Sequence, residues 1–145
     1  MKKKRREKTT GELQQELMEQ SSIKSYLNGN RASFIEADFL KQLEALHKQC
    51  GLTKAALARK SGMSEVYLHQ VFSGRRTPSR DRLVSLCVGL GASLEELQQI
   101  LKQAGYAQLY PKVRRDAIII YGLLHRRQPG EINDDLFAEN EKTLF

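Results

Sequence analysis

The apolar residues of this chain recur at intervals of three and four, the spacing that places them on one face of an α-helix. Stripes of this kind run through residues 9–18, 39–50 and 94–101. The first and last begin at Thr9 and Ser93, each followed three positions later by a glutamate, which is the spacing of a capping box. The pattern predicts an all-α protein with no sheet. The apolar stripe of the first helix consists of Leu13, Leu17 and Met18.

Three shorter helices are predicted between residues 53 and 90. Thr53, Ser64 and Ser79 each precede an apolar-periodic segment and can cap it. Gly62 separates the first two segments, where a tight turn needs a conformation that a side chain resists. The residues predicted to face the core of this pair are Leu57, Ala58, Leu68, Val71 and Phe72.

The longest apolar run of the chain, residues 117–124, lies near the C-terminus. Periodicity alone does not separate a buried helix from a strand here, and the lack of a partner strand favours a helix within residues 111–127. The run is shorter than the roughly 20 residues that cross a membrane. We therefore expect no membrane association. The basic N-terminus is not followed by an apolar stretch, so we also expect no secretory signal.

Charge is distributed unevenly over a chain whose formal net charge is +7. Residues 1–10 hold six basic residues and one acidic residue, and residues 51–90 hold seven basic and two acidic residues. Residues 131–145 instead hold five acidic residues and one basic residue. A basic block on a helical domain favours a polyanionic partner, because neutralised phosphates supply much of the affinity for nucleic acid.

Residues with metal-binding or catalytic chemistry are scattered along the chain. Cys50 and Cys87 have no metal ligand at short spacing, and the three histidines are far apart. Cys87 continues the apolar face of Leu83 and Leu86, which predicts a buried apolar residue. No phosphate loop or nucleophile motif is present. We expect no metal, no cofactor and no enzymatic activity.

Residues 52–79 read LTKAALARKSGMSEVYLHQVFSGRRTPS, and this segment resembles the lambda-repressor-like helix-turn-helix of the xenobiotic-response-element regulators. The resemblance extends over residues 39–97. It implies an all-α, lambda-repressor-like bundle with N- and C-terminal helical extensions. The expected organisation is a basic flexible tail at 1–8, a helical extension at 9–35, the DNA-binding domain at 36–104 and a second extension at 105–145. The second extension resembles that of a bacterial subgroup.

The resemblance also implies roles for individual residues. In this family the recognition helix, here 64–72, lies in the major groove of duplex DNA. The chain departs from the family pattern at Lys54, where glutamine is usual, at the acidic Glu65, and at Ser61, which replaces an apolar residue. The implied base-reading residues are Glu65, Val66, His69 and Gln70. The implied phosphate-binding residues are Thr53, Lys54, Ser64, Tyr67, Arg75 and Arg76.

Two functions of different classes are compatible with these features. The first is a cytoplasmic, nucleoid-associated transcriptional regulator, a repressor that binds double-stranded DNA as a homodimer. Its dimer contacts could involve Ile118, Ile119, Tyr121 and Leu123, although intramolecular packing is the alternative for these four. The second function is an antitoxin or regulatory adaptor that binds a protein partner through the C-terminal extension. The basic tail, with Lys2, Lys3, Lys4, Arg5, Arg6 and Lys8, is expected to add weak phosphate contacts.

Overall fold

A computed structural model describes residues 6–31 and 39–145 of the protein. These two ranges contain helices and no strand, which confirms the predicted all-α class. The chain divides into one unit at Met1–Glu36 and another at Ala37–Phe145. Lys2, Lys3, Lys4 and Arg5 of the expected basic tail lie outside the described residues. The helices are α1 (Thr10–Glu19), α2 (Ile23–Gly29), α3 (Phe39–Cys50), α4 (Lys54–Lys60), α5 (Glu65–Phe72), α6 (Arg80–Gly89), α7 (Leu94–Gln103), α8 (Arg114–Leu124) and α9 (Pro129–Ala138).

The first unit is a pair of short helices, α1 and α2. The predicted capping box is present, with the Thr9 hydroxyl accepting from the backbone N–H of Glu12 at 3.1 Å. The predicted apolar stripe is largely uncovered, since Leu17 is 49% exposed and Met18 is 77% exposed, and no residue of α1 is buried. None of the described helices is long and apolar enough to span a membrane.

A polar network connects Lys8, just before α1, with Asn30, at the end of α2. The Lys8 ammonium donates to the Glu16 carboxylate and, at 2.8 Å, to the side-chain oxygen of Asn30. The Asn30 amide in turn donates to Glu16 at 2.7 Å. Arg6 pairs with Glu12 at 2.7 Å. Two cations of the expected tail are therefore engaged by carboxylates of α1.

These contacts predict that helix α1 loses support in acid. The Arg6 guanidinium holds the pKa of Glu12 below its usual range, and the Lys8 ammonium, with Asn30, does the same for the pKa of Glu16. A carboxyl whose pKa is lowered by folding stabilises the fold above its usual pKa, and the contribution disappears as the pH falls through the lowered value. In a carbon-detected NMR titration of the full chain, both carboxyls should titrate below the usual range of glutamate.

Lys8→Met is the matched control for this titration, because it removes the donor while retaining a long side chain. We expect the midpoint of Glu16 to rise in this variant and that of Glu12 to change less. Unaltered Glu16 titration in the Lys8→Met protein would contradict the assigned cause.

The core of the second unit is built around α6. Every residue of this helix from Leu83 to Gly89 is buried, including Cys87, as predicted. Helices α4, α7 and α9 all contact α6. The predicted inward residues of α4 and α5, Leu57, Ala58, Leu68, Val71 and Phe72, are all buried in the same core.

Helices α8 and α9 belong to this same unit and extend its core. Ile119 is fully buried, so packing within the chain, one of the two alternatives given for it, accounts for this residue. Gly122 lets the two helices approach closely, since a Cβ atom there would lie 2.6 Å from the Ile132 side chain. Beyond α9 the chain returns over the domain, where Leu144 is buried and the Phe145 ring lies against Gly62.

Two buried serines in this core differ in whether their hydroxyls are paired. The Ser85 hydroxyl donates to the backbone carbonyl of Ser61 at 2.8 Å. The Ser61 hydroxyl is buried and has no hydrogen-bond partner among the described residues. It faces Gly89, where a Cβ atom would overlap it. An unpaired buried hydroxyl is unfavourable, whereas a paired one is close to neutral or favourable.

The same substitution should therefore have opposite effects at the two serines. Ser61→Ala should raise the free energy of unfolding by up to about 1 kcal/mol, since it removes an unpaired polar atom. Ser85→Ala should lower it by about 1–2 kcal/mol, because the Ser61 carbonyl loses its donor. Urea denaturation of both variants measures the difference. Equal destabilisation by the two substitutions would contradict the assignment.

Candidate nucleic-acid interface

Helices α4 and α5 cross at a short turn that is stabilised by the sequence around Gly62. Gly62 has a φ of 71°, in the left-handed region that favours glycine. The next residue, Met63, donates its backbone N–H to the Ala58 carbonyl at 2.9 Å and so closes the end of α4. Thr53 and Ser64 cap α4 and α5, as predicted, by accepting from backbone N–H groups at 3.1 Å.

The outer face of α5 carries the four residues expected to read bases. Glu65, Val66 and His69 are exposed, and Val66 is 69% exposed although it is apolar. Gln70 is half-buried one turn after Val66. The Glu65 carboxylate lies 3.5 Å from the His69 ring nitrogen, so a protonated His69 would balance its negative charge. The structure thus places these four residues on adjoining positions of the exposed face.

A groove of about 750 Å³ runs along one side of this face, between α5 and α3. Val66, His69 and Gln70 line it, together with Lys54 and Arg75. The Lys54 ammonium lies 5.4 Å from the centroid of the Phe72 ring, a cation–π distance. Lys54, one of the three residues that depart from the family pattern, therefore lines the groove beside the predicted base readers.

The loop between α5 and α6 reaches from this groove, which Arg75 lines, to the side of α5 that carries Tyr67. Arg75 and Arg76 are exposed on this loop, as expected for residues that bind the phosphates of DNA. The half-buried Tyr67 lies beside them, and the Arg76 guanidinium is 5.8 Å from the centroid of its ring. Arg82, at the start of α6, is closer still, at 4.4 Å from the same centroid.

Arginines in the second unit differ in whether an acidic residue neutralises them. Carboxylates pair with Arg80, Arg114, Arg115 and Arg127, four of the arginines that lie on or against α8 and α9. Around α5, in contrast, Arg75, Arg76 and Arg82 have no carboxylate partner among the described residues. Three arginines without a carboxylate partner among the described residues therefore lie together beside α5.

The loop that carries Arg75 and Arg76 is anchored by residues that the sequence did not point to. The Tyr106 hydroxyl donates to the Pro78 carbonyl at 2.5 Å. At the end of the loop, Arg80 donates to the Ala107 carbonyl at 2.9 Å and to the buried Asp116 carboxylate at 3.1 Å. The one signal in the sequence was Asp116, an acidic residue beside the longest apolar run. Nothing in the sequence identified its partner, Arg80, which lies 36 positions away.

A family model of the helix-turn-helix domain matches residues 37–100, somewhat less than half of the chain. This match agrees with the resemblance seen in the sequence for that segment, and helix-turn-helix domains commonly bind DNA. No curated protein and no solved structure matches the chain. The roles of individual residues at bases and phosphates stay predictions.

Proposed function

We propose that this protein is a transcriptional regulator that binds double-stranded DNA sequence-specifically, with α5 in the major groove. One observation carries the proposal: the exposed face of α5 is flanked by cations that no carboxylate of the described chain neutralises. Phosphate groups of duplex DNA would supply the missing negative charge on both sides of an inserted helix.

The side chains on α5 have the chemistry needed to distinguish bases. A glutamine pairs with adenine, a glutamate accepts from the amino group of cytosine, and an apolar side chain contacts the thymine methyl. Gln70, Glu65 and Val66 supply these groups, and His69 supplies a further donor or acceptor. The proposed phosphate contacts come from Thr53, Lys54, Ser64, Arg75 and Arg76, and free N–H groups at the start of α4 and α5 would assist them. Tyr67, the sixth residue that the resemblance implies, lies beside Arg76 at this interface.

Repression and dimeric binding are finer parts of the proposal. Occupying an operator excludes other proteins from it, so repression is the simplest result of such binding. Helix-turn-helix proteins commonly bind as dimers to half-sites about one helical turn apart. Tyr121 and Leu124 are exposed on α8 and could contact a second copy. Bound to the chromosome in this way, the protein would be associated with the nucleoid.

An antitoxin or regulatory adaptor is the second candidate, and it is favoured by Phe137. This residue is 77% exposed on α9, within an acidic segment that is ill suited to bind DNA. An exposed aromatic surrounded by acidic residues is suited to a protein partner. Loss of a stoichiometric partner in the Phe137→Ser variant, with unchanged DNA binding, would support this function.

Two substitutions distinguish base reading from phosphate binding. Gln70→Ala should weaken binding to the best site about 10- to 100-fold and affect random duplex DNA little, since it removes a base contact. Arg75→Ala should weaken binding to both DNAs similarly and lower the slope of log affinity against log salt by about one. Fluorescence-anisotropy titrations over a salt series measure both effects. Equal losses on specific and random DNA in both variants would contradict the assigned roles.

A further inference from the structure

Arg82 lies at the edge of the predicted interface in an arrangement that the sequence did not indicate. Its guanidinium is 4.4 Å from the centroid of the Tyr67 ring, within the range of a cation–π contact. Tyr67 is on α5 and Arg82 is on α6, so the contact bridges the recognition helix and the helix that follows the basic loop. A planar guanidinium stacked on an aromatic ring loses little further freedom when it binds an anion.

The surroundings of this pair favour an anion. A surface groove of about 640 Å³ is lined by Tyr67, three arginines and two hydroxyl residues, with no acidic residue among them. Asp81, the residue next to Arg82, already pairs with Arg115 at 2.8 Å. Like charges placed together without a counter-charge repel one another, so a bound phosphate would relieve the repulsion. The groove is lined by Tyr67, Arg75, Arg76, Thr77, Ser79 and Arg82.

We propose that Arg82 is a further ligand of the DNA backbone, and that Tyr67 positions it through the aromatic ring rather than through the hydroxyl. Arg76 lies within 5.8 Å of the same ring, so the two guanidiniums flank one site. A bidentate guanidinium matches the geometry of a phosphate group. The inference rests on the proposed function and assigns to Tyr67 a different mode of action from a direct phosphate contact.

Substitutions at Arg82 test the first half of this inference. Arg82→Gln should weaken binding to specific and random duplex DNA alike, by about tenfold at low salt, and lower the salt slope by about one. Arg126→Gln is the matched control, because Arg126 is an exposed arginine between α8 and α9 with no carboxylate partner among the described residues. Equal salt slopes in the two variants would refute the role of Arg82.

Substitutions at Tyr67 test the second half. Tyr67→Phe retains the ring and should bind DNA like the wild type. Tyr67→Leu should weaken binding about threefold, which on a logarithmic scale is half of the loss in Arg82→Gln. Thermal unfolding of each variant separates this effect from a loss of folding, since a purely structural role changes the melting temperature and leaves the salt slope unaltered. A Tyr67→Phe variant that binds as weakly as Tyr67→Leu would assign the contact to the hydroxyl instead.

These outcomes are separable from the test of the proposed function. Wild-type protein that fails to bind any duplex DNA refutes the function and the inference together. Wild-type protein that binds normally, with Arg82→Gln behaving like Arg126→Gln, refutes the inference alone.

Discussion

Asp116→Ala should lower the free energy of unfolding of the second unit by about 2–4 kcal/mol. The carboxylate is only 5% exposed and accepts from both terminal nitrogens of Arg80, at 3.1 and 3.3 Å. It also accepts from the backbone N–H of Tyr110 at 3.0 Å. Alanine would leave the Arg80 charge and the Tyr110 N–H without these partners, and a partly buried charge without a partner is costly. Urea denaturation followed by circular dichroism measures the loss.

Asp116→Asn is the control, because it keeps an acceptor oxygen in a side chain of the same size and removes the charge. We expect an intermediate loss of stability. We also expect Asp116→Ala to weaken DNA binding at temperatures at which the variant is folded, since Arg80 ends the loop that holds Arg75 and Arg76. A change in stability below about 0.5 kcal/mol, the usual size for a surface substitution, would contradict the assigned role.

Gly62→Val should destabilise the second unit by about 2–4 kcal/mol. The turn requires a φ of 71° at this position, which a β-branched residue rarely adopts. A Cβ atom would also overlap atoms of the Phe145 ring, so the ring would have to move. DNA affinity should fall as well, because the turn sets the position of α5 relative to α4. Equilibrium unfolding and anisotropy titrations measure the two effects.

Gly105→Val separates the two causes of this destabilisation. Gly105 has a similar φ of 80°, and a Cβ atom added there would meet nothing within 4 Å, so the substitution reports backbone strain alone. We expect Gly62→Val to lower the free energy of unfolding more than Gly105→Val does. Adding Phe145→Ala to Gly62→Val should recover part of this difference. Equal losses at the two glycines, with no recovery in the double variant, would show that the Phe145 ring has no part in fixing the turn.

The features that the sequence predicted well are those determined over a few residues. A hydroxyl residue at a helix start and the turn glycine each act within four or five positions, so Thr53, Ser64 and Gly62 could be assigned from their immediate neighbours in the chain. The phase of the apolar residues likewise indicated that Leu68 and Val71 lie on the buried side of α5. The outward positions of Val66 and Gln70 were implied by the family resemblance.

The features that the sequence did not predict depend on contacts between distant residues. Arg82 stacks on Tyr67 only because α6 follows α5 at a particular angle, and Arg80 meets Asp116 only because α8 packs beside the loop. No local spacing encodes these pairs. Leu17 and Met18 of the stripe predicted for α1 are both exposed, because the phase of a short, mostly polar helix is poorly determined by three apolar residues.

Selection of bound sequences from a pool of random duplex DNA tests the central claim most directly. The full chain, immobilised through a tag, is incubated with the pool at moderate salt, and the retained DNA is amplified and sequenced over several rounds. A sequence-specific regulator should enrich one consensus, and a dimer should enrich it as two symmetric halves about one helical turn apart. The same selection with Gln70→Ala should relax one position of that consensus. Retained DNA with no enriched sequence, or no retained DNA at all, would contradict the claim that this protein reads DNA sequence through α5.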